Sequence, residues 1–178
     1  TCGALTTVKP SGDKNPQSGL FLIGGPSSHF NWSDSEVAEQ VGKVVAATEE
    51  EGVLWKLTTS RRTPKTFLSY LKTIPSPRLV VCPVEETGKG WVEGELARCE
   101  QTWVSEDSVS MVYEALTSGC RVGLLGLSPK GAGGRVVRGV GQLIEKKWLT
   151  RYVDWENGES LESAPGGFDE SARCADVV

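Results

Sequence analysis

Short apolar runs alternate with amphipathic segments along most of the chain. Five runs are predicted strands, and they are nearly all apolar, which is typical of strands buried on both faces of a sheet. They cover residues 20–24, 53–60, 78–84, 101–104 and 121–127. Segments predicted to be helical lie between or after them, within residues 34–52, 61–74, 91–100, 108–118 and 135–149. This strand–helix alternation predicts an α/β fold with a doubly wound parallel sheet.

The first helix carries a recognisable start signal. Ser33 and Glu36 have the spacing of a capping box, and the helix that they open is expected to end at Gly52. Because ligands in open α/β sheets bind where the strand order reverses, we expect the 20–24 and 101–104 strands to be neighbours near the centre of the sheet.

Composition narrows the class of protein. The chain has 178 residues, 38% of them hydrophobic and 24% charged, which indicates one ordered globular domain. A net charge of −4 argues against general attraction to nucleic acid. No apolar run approaches the roughly 20 residues that span a bilayer. We therefore expect a protein that is not transmembrane and is cytoplasmic, with a peripheral position at a membrane surface as the alternative.

Cysteine and histidine usage argues against a metal centre. The cysteines are odd in number and no two have the spacing of a zinc site, so free thiols are expected. They are Cys2, Cys82, Cys99, Cys120 and Cys174. His29 is the only histidine, which excludes a site with several histidine ligands. We expect neither a metal nor a cofactor.

Polar residues suited to an anion follow the predicted strands. Glycines permit close approach of the backbone to a ligand, hydroxyls and amides at a helix start hold phosphate oxygens, and arginines supply charge. The candidates are Gly24, Gly25, Ser27, Ser60, Arg61, Arg62, Ser108 and Ser110. Since the carboxyl ends of parallel strands share one edge, these residues predict an anion site there, most plausibly for a diphosphate.

Each motif has a structural alternative. Gly24 and Gly25 can form a tight turn, and two adjacent arginines can be a solvated surface pair. Ser108 or Asp107 can cap a helix, and His29 is better explained by packing or loop structure than by catalysis. Carboxylates repel phosphate, so Glu106 and Asp107 must turn away or be offset by a metal or by the arginines.

Three motifs carry a resemblance to a known family. "LFLIGGPSSHFNW", "LTTSRRTP" and "SEDSVSMVYEALTSGCRV" together resemble the mitochondrial fission Elm-type family, over residues 5–178. Family members are longer, which implies that residues 1–18 are a linker or lead-in from a missing N-terminal half. Residues 19–178 would then be a C-terminal domain that ends in a tail helix.

A more distant similarity is to the GT-B glycosyltransferases. Their C-terminal half is a Rossmann-like domain that binds a nucleotide sugar, and the spacing from Ser108 to Glu114 resembles their turn and ribose-binding glutamate. The similarity implies the nucleoside-diphosphate-sugar-binding half of a glycosyltransferase. The catalytic base commonly lies in the other half, so we assign none and expect this chain alone to be inactive.

A non-enzymatic adaptor is the alternative function. Plant relatives of the Elm-type family are implicated in recruiting a dynamin-related protein, which implies a protein partner. The older epimerase label of bacterial members is not supported, because the sequence has neither a GxGxxG fingerprint nor a Tyr-x-x-x-Lys pair.

Overall fold

The computed structural model describes residues 12–131, 135–164 and 168. Its first half contains β1 (Asn15–Ile23), β2 (Phe30–Asn31), α1 (Asp34–Ala47), β3 (Leu54–Thr59), α2 (Lys65–Leu71), β4 (Leu79–Cys82) and α3 (Trp91–Arg98). The second half contains β5 (Cys99–Ser105), α4 (Val109–Thr117), β6 (Arg121–Leu125), β7 (Ser128–Pro129), α5 (Arg135–Glu145), β8 (Thr150–Arg151) and α6 (Tyr152–Glu156).

Six strands form one parallel sheet in the order β4-β3-β1-β5-β6-β8. The chain proceeds from β1 to one edge, then returns to place β5 on the other side of β1. This reversal is a topological switch point, so the fold is Rossmann-like and doubly wound, as predicted. The expected adjacency of the 20–24 and 101–104 strands is also confirmed.

Apolar side chains fill both faces of the sheet. Along β1, Phe21 and Ile23 belong to the core packed against α1 and α2. Leu20 and Leu22 point to the other face, where α3 and α4 contribute to a second core. Successive side chains of a strand point to opposite faces. An uninterrupted apolar run is therefore required when helices cover both.

The predicted helix start at Ser33 is confirmed, because its side chain accepts a hydrogen bond from the Glu36 N–H at 3.4 Å. The helix end is earlier than predicted, at Ala47 rather than Gly52. Thr48 closes the last turn by donating to the Val44 carbonyl at 3.0 Å and accepts the Trp55 indole N–H at 2.8 Å. Tertiary contact with β3 therefore marks the end of this helix.

Three strand features were not predicted. β1 begins at Asn15, so residues 15–18 of the predicted lead-in are part of the central strand. β8 adds a sixth strand, and β2 pairs with β7 in a small antiparallel ribbon. β2, β7 and β8 have two residues each, too few to produce a hydrophobic period. The predicted tail helix lies outside the described residues, apart from Phe168.

Candidate functional site

The loops after β1, β3 and β5 meet at the carboxyl edge of the sheet, at the switch point. The Gly24 N–H donates to the Ser105 hydroxyl at 2.7 Å. The Gly24 carbonyl accepts from the Ser60 hydroxyl at 3.0 Å and from the Thr63 hydroxyl. The backbone of Gly24 therefore links the loop after β1 to the loop after β3 and to the last residue of β5.

Close approach explains why this position requires glycine. A Cβ at Gly24 would lie 2.1 Å from Oδ2 of Asp107 and 2.2 Å from Oγ of Ser108. A Cβ at Gly25 would lie 2.3 Å from the Arg62 carbonyl oxygen. Non-bonded atoms do not approach this closely, so any larger residue at Gly24 must displace the acid or the start of α4.

A buried carboxylate lies at the centre of the predicted anion site. The Asp107 side chain has no exposed surface. Its Oδ2 accepts from the Gly25 N–H at 3.0 Å, from Arg62 Nη2 at 2.9 Å and from the Ser108 hydroxyl at 3.3 Å. Its Oδ1 is buried and has no hydrogen-bond partner among the described residues. The sequence predicted that Asp107 would either turn away from the site or have its charge offset. The structure shows that an arginine, Arg62, offsets this charge.

The two arginines differ in their surroundings. Arg62 Nη1 donates to the carbonyls of Gly25 and Pro26 at 3.1 and 3.0 Å, and Nη2 also reaches the Ser108 hydroxyl at 3.2 Å. Arg61 is exposed on the same turn. Arg62 therefore holds the loops together, and Arg61 presents its charge to solvent.

The β2–β7 ribbon ties down the loop that contains Ser27. The Ser27 hydroxyl accepts from the amides of His29 and Phe30 at 3.3 and 3.1 Å, so it closes a turn. The Ser27 carbonyl accepts from Lys130 Nζ at 2.9 Å, and the Lys130 N–H donates to the His29 carbonyl at 2.7 Å. Lys130 was not predicted from the sequence, because its contacts depend on the pairing of β2 with β7 in the separate two-stranded ribbon.

The start of α4 lies beside this cluster. Ser108 is the N-cap residue but forms no side-chain capping bond, and Ser110 is exposed in the first turn. First-turn N–H groups have no partner inside a helix, and the helix dipole makes this end attractive to anions.

Glu114 lies one turn further along α4 and is not in the cluster around Gly24. It is half-buried, and desolvation raises the pKa of its carboxyl, with a further contribution from the negative charge of Glu93. Of the nine predicted site residues, the hydrogen bonds join Gly24, Gly25, Ser60, Arg62 and Ser108. Arg61 is exposed on the loop after β3, Ser110 is exposed in the first turn of α4, and Ser27 lies in the adjacent turn.

Glu106 joins the loop after β5 to the segment that follows β6. Its carboxylate accepts the Leu127 N–H at 3.0 Å, and burial raises the pKa of the group above its ordinary value of 4.5, with Asp107 adding a smaller repulsion. A carboxyl whose pKa is higher in the folded state contributes stability below its unfolded pKa, and that contribution is lost as the pH rises through the folded pKa.

We therefore expect the Glu106→Gln variant to be more stable than the wild type at about pH 7.5, with a difference that shrinks towards about pH 4. Glutamine keeps an acceptor for the Leu127 N–H but cannot ionise. Urea unfolding at both pH values measures the difference. Glu49→Gln, at an exposed position, is the control and should show little change at either pH. A variant less stable than the wild type at pH 7.5 would contradict the expectation.

Within the part of the chain that the structure describes, no helix is long and apolar enough to cross a membrane. In the same residues, no three His, Cys, Asp or Glu side chains gather closely enough to hold a metal ion.

Fold and site together define a Rossmann-like α/β domain with a glycine-containing polar edge at its switch point, the place where such domains bind ligands. The chain belongs to the mitochondrial fission ELM1 family, whose sequence model matches residues 1–178. The resemblance indicated by the three motifs is thus confirmed. Comparison with curated proteins gave no significant match.

Proposed function

We propose that the chain is the nucleoside-diphosphate-sugar-binding half of a GT-B-like glycosyltransferase. The observation that carries the proposal is the convergence of three polar loops at the switch point, with the start of α4 beside them. Parallel α/β domains bind ligands at this position because the two neighbouring crossovers leave a crevice there.

The diphosphate would lie on the first turn of α4. The N–H groups after Ser108 and the hydroxyl of Ser110 are suited to its oxygens, and Arg61 supplies an exposed positive charge. Arg62 has a different role in this proposal. It offsets Asp107, so that the carboxylate does not repel the ligand, and it holds the Gly25 loop in position.

Glu114 would receive the ribose. An ionised carboxylate accepts hydrogen bonds from both hydroxyls of a ribose. Its partial burial strengthens such bonds, because the local dielectric is lower than in water. In this proposal the other half of the glycosyltransferase would supply the acceptor site and the general base.

Arg61→Ala is expected to weaken the binding of UDP or GDP by about 1.5–3 kcal/mol, the range for a hydrogen bond to a charged group. Calorimetry measures the affinity, and chemical unfolding should show no change because Arg61 is exposed. Arg98→Ala is the matched control, since Arg98 is also highly exposed but ends α3 at the opposite edge of the sheet. Equal losses in both variants would contradict a role for Arg61 in binding.

Glu114→Ala is expected to weaken the binding of UDP or GDP and to leave inorganic pyrophosphate nearly unaffected, because only the nucleotides carry ribose hydroxyls. The same calorimetry compares the three ligands. Equal losses for nucleotide and pyrophosphate would contradict the ribose assignment. Absence of binding at about millimolar concentration would favour the adaptor.

One surface supports the adaptor as a second candidate. β4 is an edge strand, with Val80 43% exposed. A groove of about 380 Å³ lies beside it, and its apolar lining residues are Leu68, Leu71, Ile74, Leu79, Val81 and Pro83. An exposed strand edge next to an apolar groove can accept an extended segment of another protein. The name of the family, which refers to mitochondrial fission, is consistent with such a role.

A further inference from the structure

Two cysteine thiols meet inside the fold at the amino edge of the sheet, opposite the candidate functional site. Cys99 opens β5, and Cys120 directly precedes β6, the neighbouring parallel strand. Their sulfur atoms are 3.6 Å apart, which is van der Waals contact. Both residues are buried, with 1% and 2% of their surface exposed.

The surroundings of Cys120 are polar. Its sulfur lies 3.6 Å from Nζ of Lys14 and 3.0 Å from the Ser118 hydroxyl, whose one hydrogen can go either to this sulfur or to the Ala115 carbonyl at 2.7 Å. As a thiol, Cys120 can donate to the carbonyls of Cys99 and Leu96 at 3.3 and 3.5 Å. Lys14 is held in place by donating to the Leu96 carbonyl at 2.5 Å. A buried cysteine that serves only packing needs none of these partners. The ammonium group of Lys14 favours the thiolate form of this sulfur, whereas the two carbonyls accept a hydrogen bond only from its thiol form.

Cys99 completes the pair as a hydrogen-bond donor. Its thiol can donate to Cys120, and this bond lowers the pKa of Cys120 and raises the pKa of Cys99. The Cys120 sulfur is thus suited to attack an oxidant. The Cys99 sulfur lies in contact with it and can then attack the oxidised Cys120 to form a disulfide.

We propose that Cys99 and Cys120 form a reversible dithiol–disulfide site, in which Lys14 stabilises the attacking thiolate of Cys120. The oxidant is of the hydroperoxide class. Because both sulfur atoms are buried, hydrogen peroxide reaches them when this part of the structure opens locally. The inference does not depend on the proposed function.

The chemistry balances in two steps. The Cys120 thiolate attacks one peroxide oxygen, the O–O bond breaks, and the released hydroxide takes up a proton as water. Cys99 sulfur then attacks the sulfenic acid of Cys120, the S–O bond breaks, and the hydroxide leaves with the Cys99 proton as a second water. Two thiols are oxidised by two electrons, and the peroxide is reduced to two waters. Excess thiol reverses the reaction by exchange.

Such a bond would join residues 21 positions apart and enclose α4. The disulfide would lie at the amino edge of the sheet, whereas the start of α4 lies at the carboxyl edge. The site would therefore constrain the β5–α4–β6 unit without occupying the candidate functional site.

The experiment treats the protein with hydrogen peroxide, blocks free thiols under denaturing conditions and maps the cysteine peptides by mass spectrometry. The expected product is a Cys99–Cys120 disulfide that dithiothreitol removes. Cys82 is the internal control. It is more exposed and burial raises its pKa, so exposure alone predicts that Cys82 reacts first, whereas the proposal predicts that Cys120 does.

Lys14→Gln tests the assigned role of the ammonium group, with Lys65→Gln, at an exposed position of α2, as the matched control. Loss of the positive charge should slow formation of the disulfide several-fold, and the control should react at the wild-type rate. Equal rates in the two variants would overturn the role of Lys14. The whole proposal is overturned if wild-type Cys120 stays a free thiol, pairs with another cysteine, reacts after Cys82, or reaches sulfinic acid while Cys99 stays free.

Discussion

Replacing Gly24 with alanine is expected to lower the free energy of unfolding by about 1–3 kcal/mol, the cost of adding a methyl group to a tightly packed site. The added Cβ would lie 2.1 Å from a buried carboxylate oxygen of Asp107. To relieve this overlap, the carboxylate or the start of α4 must shift, and the hydrogen bonds that join the three loops weaken with it. Urea unfolding measures the loss.

Gly88→Ala is the matched control for this change. Gly88 also follows a strand, β4, but a Cβ there would have no atom within 4 Å. Its stability is expected to stay within about 0.5 kcal/mol of the wild type, as for most surface substitutions. If both variants lost the same amount, backbone freedom of glycine rather than close packing would explain the effect, and the assigned contact would be wrong.

The Asp107→Asn variant should be less stable than the wild type and yet bind a nucleoside diphosphate more tightly. The asparagine keeps the shape of the side chain but loses the charge that receives three donors. Hydrogen bonds to charged groups contribute about 1.5–3 kcal/mol, and the half-exposed position of Arg62 moves the expected loss towards the lower end of that range. Removal of the carboxylate also frees the positive charge of Arg62 for a phosphate, so affinity should rise roughly tenfold.

Asp154→Asn provides the control for this prediction. Asp154 also pairs with an arginine, Arg151, but this pair lies at the surface, where such pairs contribute about 0–1 kcal/mol. Unfolding and calorimetry on both variants separate the two effects. Weaker nucleotide binding by Asp107→Asn would contradict the assigned role, because it would mean that the carboxylate holds Arg62 in position for the ligand.

The hydrophobic pattern alone predicted much of the fold. Uninterrupted apolar runs indicated strands covered on both faces, and their alternation with amphipathic segments indicated a parallel sheet. The adjacency of β1 and β5 followed from a general rule of such sheets. These features are encoded in short stretches of sequence, because burial of a strand or helix depends on residues a few positions apart.

The contacts of the candidate site were decided by the tertiary structure. The sequence predicted that Gly24, Arg62 and Ser108 would lie at one edge and gave an arginine as one way to offset Asp107. It did not show that the Asp107 carboxylate would be buried among them or which arginine would pair with it. That pair joins residues 45 positions apart, and its geometry depends on how two loops are placed after separate strands. The β2–β7 ribbon that holds Ser27 was also decided by the tertiary structure, because strands of two residues are too short to show a hydrophobic period.

The contact between the Cys99 and Cys120 thiols was likewise decided by the tertiary structure. The sequence predicted that Cys120 would lie beside a buried strand, but it placed Cys99 in a helix over residues 91–100, whereas the structure begins β5 at Cys99. Only the parallel pairing of β5 with β6 brought their sulfur atoms into contact, and only the extension of β1 towards Asn15 placed Lys14 beside them. Hydrophobic periodicity determines which residues are buried. Strand order and register determine which buried polar groups meet, because those contacts form between segments that are distant in sequence.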